Sequence, residues 1–278
     1  SFSHAKCRDT QAAHQYSLLA CREAGGEVAV NQMPPRQATQ SFFRRHGNVY
    51  LYVPNLIGYV RVALALYAFG VALIDPRQTI ACYFLSFVCD ELDGRFARML
   101  DQTSTLGAVL DMVTDRLGTT GLLLTLAVLY PRYILICVGL IFLDIFSHWF
   151  QMYSTLLIGA ISHKDTKSAS WLVRTYYQQR LFMGFCCVCC EVLYLCLYGL
   201  AFPALRDMRV SSLTVTLPQQ LLAVEPGLAS VFSQQGLPGL LLLAAFCLPG
   251  MVIKQICNWA QLQASAGLLV QHDLTKTA

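Results

Sequence analysis

The chain has 278 residues, 55% of them hydrophobic and 13% charged, with a net charge of +4. Soluble domains carry about 25% charged residues, and several apolar runs here reach the roughly 17–25 residues that a helix needs to cross a bilayer. The composition excludes a water-soluble protein, and the lack of a basic stripe interleaved with aromatics excludes a nucleic-acid surface.

Residues 1–40 are polar and mixed, without the apolar core of a secretory signal, and read as a disordered tail ahead of a membrane domain over 41–278. "SFFRRHG" (41–47) sets Phe42 and Phe43 beside Arg44 and Arg45, a mixture suited to a short juxtamembrane segment at the headgroup level. Six spans follow, at about 49–74, 79–99, 105–130, 133–157, 181–202 and 239–263. "DPRQ" (75–78) ends the first, "DQTST" (101–105) supplies hydroxyl caps for the third, and Pro131 with Arg132 breaks it from the fourth. The expected fold class is therefore an all-α integral membrane protein, with six transmembrane helices and a short N-terminal juxtamembrane segment.

Lys and Arg near the span ends favour one side. It receives Arg44, Arg45, Arg95, Arg98, Lys164, Lys167, Arg174 and Arg180, against Arg77, Arg132, Arg206 and Arg209 on the other. The excess places both termini and the turn between the second and third spans in the cytosol. Cys186, Cys187, Cys189 and Cys190 contain two CxxC spacings that in a soluble loop would hint at zinc. Inside an apolar run the favoured reading is small hydrophobes spread around a helix. No spacing suggests a disulfide framework.

The stretch from Cys89 to Arg116 concentrates six of the sixteen acidic residues at the second and third spans. Asp90 and Asp93 are three apart and share a helix face; Asp111 and Asp115 are four apart and do the same on the next helix. Counted from the turn near residue 102, the inner and outer members of the two pairs fall at matching depth if the helices lie antiparallel. Four carboxylates cannot all stay ionised in a low-dielectric site without compensation. Hard oxygen ligands at this density call for two ions of Mg²⁺ or Mn²⁺. The bland alternative is solvated helix ends and interhelical ion pairs; the scarcity of cations nearby and the symmetric spacing argue against it. Gly94, Ala97 and Gly107 let backbones approach closely, Arg98 offers a planar fork to a phosphate, and Glu91 and Asp101 read as bystanders.

The pattern Asp90-x2-Asp93-Gly94-x2-Ala97-Arg98-x8-Gly107-x3-Asp111-x3-Asp115 resembles, at every fixed position, the signature of the CDP-alcohol phosphatidyltransferase family. "YVPNLIGYVR" (52–61), "GAVLDMVTDR" (107–116), "LDIFSHW" (143–149), "SHK" (162–164) and "VRTYYQQR" (173–180) resemble its eukaryotic phosphatidylinositol synthase branch. The resemblance covers about 48–200; it is weak in the sixth span and absent from the tail and from 203–235. It implies transfer of a phosphatidyl group from CDP-diacylglycerol to myo-inositol with release of CMP. Asp90, Asp93, Asp111 and Asp115 would hold two metal ions, and Asp115 would also be the base. Gly94, Arg98, Ala97, Gly107 and Ser104 would form the CDP-diacylglycerol site. The resemblance further implies a homodimer in the endoplasmic reticulum with its site facing the cytosol.

Other assignments stay open on the residues alone. Asn55 is a candidate for bonding the nucleotide, and Arg61 faces a membrane interior that penalises it if unpaired; a structural pair with one of the nearby acids is an equal reading. Asp144 and His148, four apart on one face, and Arg174 and Arg180, at the entrance to the fifth span, are acceptor-pocket candidates. A packing histidine is an equal reading of His148, and an interfacial aromatic belt the better one of Tyr176 and Tyr177. Lys254 either snorkels or faces the cavity. Two rival functions remain: the same chemistry on glycerol phosphate or serine, and a divalent-cation transporter, which leaves Gly94, Ala97, Arg98 and Gly107 unexplained.

Overall fold

Long apolar runs bounded by proline and hydroxyl caps fold into helices, and a computed structural model describes residues 47–158, 175–176, 178–210 and 237–277. Among these residues the chain forms α1 (Val53–Gly70), α2 (Pro76–Met99), α3 (Thr105–Leu129), α4 (Ile134–Ile158), α5 (Arg180–Leu200), the single turn α6 (Pro203–Arg206) and α7 (Gly239–Thr277). Two short strands, β1 (Arg209–Val210) and β2 (Leu237–Pro238), pair antiparallel with Arg209 opposite Pro238, tying the end of α6 to the start of α7. The expected tail over 1–40, Phe42, Phe43, Arg44, Arg45, Arg174 and most of the connection 203–235 lie outside the described residues.

The helix ends follow the local chemistry. Asp75 caps α2, its carboxylate accepting from the N–H groups of Arg77 and Gln78, with Pro76 at the first position where no N–H is needed. Ser104 caps α3 by accepting from Gly107 N–H at 2.9 Å. Between them Asp101 takes a left-handed φ of 56°, and Gln102 N–H bonds Ala97 C=O at 2.9 Å, the six-to-one bond of a Schellman turn.

Two expectations about the spans change. Five helices, α1, α3, α4, α5 and α7, are long and apolar enough to cross a membrane. The 24-residue α2 is long enough but not apolar enough, because it carries the acids and arginines of the signature stretch. The last helix does not stop near residue 263 but continues to Thr277. Pro249 lies within it, and at 1.5 Å per residue its 39 residues exceed a bilayer's ~30 Å hydrocarbon core.

Packing places α3 centrally: it touches α1, α4 and α5, while α1 lies along α2 and α7 lies along both α5 and α4. One buried cluster joins Ala68, Leu122, Leu126, Ile141, Tyr194 and Tyr198 from four helices. Cys186, Cys189, Cys190, Cys196, Cys247 and Cys257 are free and buried. This agrees with thiols serving as small packing groups, as where Gly250 lets α7 approach so closely that a Cβ there would stand 2.6 Å from that of Cys189.

Candidate active site

The acids converge around a third helix. Direct backbone approaches between α2 and α3 are few, but α1 packs against both. The start of α1 is seated on the turn that joins them, because Val53 N–H donates to the Gln102 side chain at 2.9 Å. Eight residues on, about 12 Å down the helix, Arg61 arrives at the depth of the aspartates. Its Nη1 lies 2.8 Å from both Asp93 and Asp111; its Nη2 lies 2.8 Å from Asp115 and also contacts Asp90. Arg61 is 3% exposed.

This arrangement suits divalent cations. Carboxylate oxygens of Asp90, Asp93 and Asp111 all lie within 4.8 Å of one another, a hard-oxygen donor set of the kind Mg²⁺ or Mn²⁺ takes. Asp115 completes the group through the shared guanidinium. One guanidinium cannot balance four carboxylates, and the other close cation, Arg116, stands 3.8 Å from Asp115 while committed to Asp144 at 2.6 Å. The cluster therefore attracts further positive charge. The cation scarcity noted in the signature stretch is met in part by Arg61, which comes from a different helix.

Two cavities border the cluster. A cavity of about 180 Å³ is lined by Asn55, Gly94, Ala97, Ser104 and Gly107, with Asp93 and Asp111 at its edge. It thus gathers all the residues expected to contact the donor except Arg98, which is exposed and whose guanidinium lies over Gly94. Asn55 is 1% exposed; its amide nitrogen donates to Val49 C=O at 2.7 Å, while its buried Oδ1 has no partner among the described residues. That Oδ1 is 2.7 Å from where a Cβ on Gly107 would stand, and the Ser104 hydroxyl is 3.0 Å from it. The resemblance implies that this cavity receives CDP-diacylglycerol; on that expectation a Gly107→Ala substitution pushes both groups into the cavity and weakens binding of that donor about tenfold, since overpacking here has no slack. Measuring KM for that substrate in the variant checks this; an unchanged value would remove the cavity from donor binding.

A larger cavity, about 270 Å³, opens on the other aspartates. Asp90, Asp115, Arg61 and Arg116 line it together with Tyr83, Thr119, Glu191 and Lys254. Of the acceptor-pocket candidates, Asp144 and His148 do not line it. Asp144 is buried behind this wall, 2.6 Å from Arg116 and 3.8 Å from Lys254. His148 borders a separate apolar cavity with Met112, Leu117 and Trp149, and its Nδ1 is 2.7 Å from Asp144 C=O. Arg180 begins α5, its side chain outside the described residues, as is Tyr177. Tyr176 is buried in helix packing beside Cys186 and Cys257, not in an interfacial belt. Lys254 faces the cavity instead of snorkelling. Glu91, read from the sequence as a bystander, pairs with Arg95 at the surface and also lines the rim of this larger cavity.

Sequence reasoning missed Glu191, Tyr83, Thr119 and Arg116. One signal was available for Glu191: an acid inside an apolar span is seldom kept without use. Nothing local marked Tyr83 or Thr119, which matter only through the tertiary contact each makes with Glu191.

The class these features define is a multi-span helical membrane protein whose cation-attracting carboxylate cluster lies between two cavities. Residues 51–175 match the CDP-alcohol phosphatidyltransferase family. The chain is 44% identical over 230 residues to CDP-diacylglycerol–inositol 3-phosphatidyltransferase 1 of Arabidopsis thaliana, covering 82% of this chain and 93% of that one. To the Schizosaccharomyces pombe CDP-diacylglycerol–inositol 3-phosphatidyltransferase it is 38% identical over 228 residues, covering 82% and 92%. The Saccharomyces cerevisiae protein of that name is 34% identical over 227 residues, covering 81% and 89%. No solved structure matches. The chain belongs to the CDP-alcohol phosphatidyltransferase family.

Proposed function

We propose that the chain is a phosphatidylinositol synthase, transferring the phosphatidyl group of CDP-diacylglycerol to myo-inositol and releasing CMP. The names of relatives aligned over most of their length support it. The observation that carries the chemistry is that one aspartate cluster borders both cavities, so a donor on one side and an alcohol on the other would meet at the same carboxylates.

The smaller cavity is assigned to the donor. Gly94, Ala97 and Gly107 leave room there for a nucleotide diphosphate, and the Ser104 hydroxyl keeps its proton to donate after accepting from Gly107 N–H. Arg98, exposed at the end of α2, is placed to fork onto a phosphate at the membrane surface. Asp90, Asp93, Asp111 and Asp115 would hold the two ions, Mg²⁺ or Mn²⁺. When bound, such ions stabilise charge on the phosphate oxygens and on the departing CMP. Asp115 borders the larger cavity and takes the proton from the incoming hydroxyl.

The proposed placement in the membrane draws on this geometry and on the Lys and Arg excess near the span ends. Asp90 and Asp93 of α2 turn toward Arg61 on α1, which supports α2 as a sixth span despite its low apolarity. With the basic side taken as cytosolic, the active site would lie just beneath the cytosolic face, where the lipid donor has its acyl chains in the bilayer and its nucleotide at the surface. Residence in the endoplasmic reticulum and assembly as a homodimer complete the reading, carried over from the family.

Purified protein given CDP-diacylglycerol and Mg²⁺ or Mn²⁺ is expected to release CMP when myo-inositol is added, with phosphatidylinositol formed in equal amount. Release driven instead by serine or glycerol phosphate would overturn the acceptor; ion flux in vesicles without CMP release would overturn the enzyme.

A further inference from the structure

We infer that Glu191 on α5 and Lys254 on α7 are acceptor-binding residues that set specificity for a neutral polyol, an inference that rests on the transferase reading above. Glu191 sits in the apolar run "FCCVCCEV", and Lys254 is 4% exposed inside the helix packing. Both line the larger cavity together with Asp115. Their depth is right: Glu191 is eleven residues from the start of α5 and Asp115 ten from the start of α3, about 15 Å along each helix.

The hydrogen-bond accounting leaves each with capacity to spare. Thr119 donates to one carboxylate oxygen of Glu191 and Tyr83 to the other, both at 2.7 Å. An ionised carboxylate has about four acceptor sites, so two remain for ligand hydroxyls. The two donors are nearly buried and come from α3 and α2, which aims the carboxylate firmly. No cation among the described residues lies within ion-pair distance of it. A glutamine would tie the same three helices together without an intramembrane charge, which is expensive to keep. Glu191 also balances charge in the field of Arg116 and Lys254, and its spare acceptor sites on the cavity side are what that balance leaves unused.

Lys254 supplies the complementary donors. Its ammonium makes no hydrogen bond among the described residues and is 3.8 Å from Asp144, beyond hydrogen-bond length. Asp144 meanwhile holds Arg116 through Nη1 at 2.6 Å, so that guanidinium is charge-paired, although its Nε has no partner among the described residues. A wall with spare acceptor sites on Glu191 and spare donors on Lys254 fits adjacent hydroxyls of an uncharged ring, whereas a phosphorylated alcohol would meet repulsion from the Glu191 and Asp115 carboxylates.

Glu191→Gln tests this, because the amide can still engage both Tyr83 and Thr119. KM for myo-inositol is expected to rise roughly 10- to 100-fold while KM for CDP-diacylglycerol stays within twofold, as loss of a charge-assisted hydrogen bond would give. Wild type should also discriminate against mono-deoxyinositols, and the variant should lose that discrimination for at least one of them. Glu191→Asp should restore part of it. Lys254→Met should raise the acceptor KM selectively too, with its thermal unfolding in detergent recorded alongside. If both KM values move together, or only stability falls, the residues are structural and the inference is overturned. If wild type uses an alcohol other than inositol, the acceptor in the proposed function fails, and the split between acceptor and donor KM for that alcohol still decides the role of Glu191.

Discussion

Replacing Asp115 with asparagine is expected to lower phosphatidyl transfer by about 10²–10⁴-fold while CDP-diacylglycerol still binds. The amide keeps the shape of the side chain but cannot take a proton from an incoming alcohol. Asp115 borders the larger cavity, whereas Asp93 and Asp111 border the smaller one, so the loss should fall on the acceptor side. Single-turnover CMP release, measured beside equilibrium binding of the donor, separates the two effects. A variant that turned over near the wild-type rate would remove Asp115 as the base.

Arg61→Met is expected to destabilise the protein by about 3 kcal/mol when divalent ions are chelated, the low end for breaking a buried charge pair. The low end applies because the carboxylates of Asp90, Asp111 and Asp115 are 34%, 50% and 39% exposed and water screens part of their repulsion. Methionine fills much of the volume but leaves four acids without their shared guanidinium. Mn²⁺ or Mg²⁺ should then raise the unfolding temperature of the variant more than that of wild type, since the ions supply the missing charge. Thermal unfolding in detergent, with chelator and with each metal, reads this directly. Equal behaviour of the two proteins would show that Arg61 does not neutralise the cluster.

The long helices were legible because each rests on local signals: an apolar run of sufficient length, then a proline, a capping serine or a capping aspartate. Ser104 illustrates how far this goes. Its position before α3 marks it as a cap from composition alone, and the structure adds the bond to Gly107 and the cavity the two share. The end of α7 was less legible, since the polar residues past 263 are compatible with helix and nothing there stops one. Apolarity by itself does not mark α2 as a span, for a plain reason. Hydropathy sums every side chain, while a helix that buries its acids against a neighbouring arginine exposes only part of its surface to lipid.

The candidate site divides the same way. Spacing puts Asp90 with Asp93 and Asp111 with Asp115 on shared faces, because a helix repeats every 3.6 residues whatever surrounds it. It does not say what lies between the pairs. Arg61 is fifty residues from Asp111, and Glu191 is seventy-two from Thr119. Which long side chain fills the gap between the acids, and which acid faces the alcohol, depends on how α1, α5 and α7 pack around α3. Packing of that kind sums many weak contacts between residues distant in the chain, so no short stretch encodes it. The helices and the carboxylate pairs were thus decided locally by the residues themselves; the guanidinium at their centre and the polar wall opposite Asp115 came only with the assembled bundle.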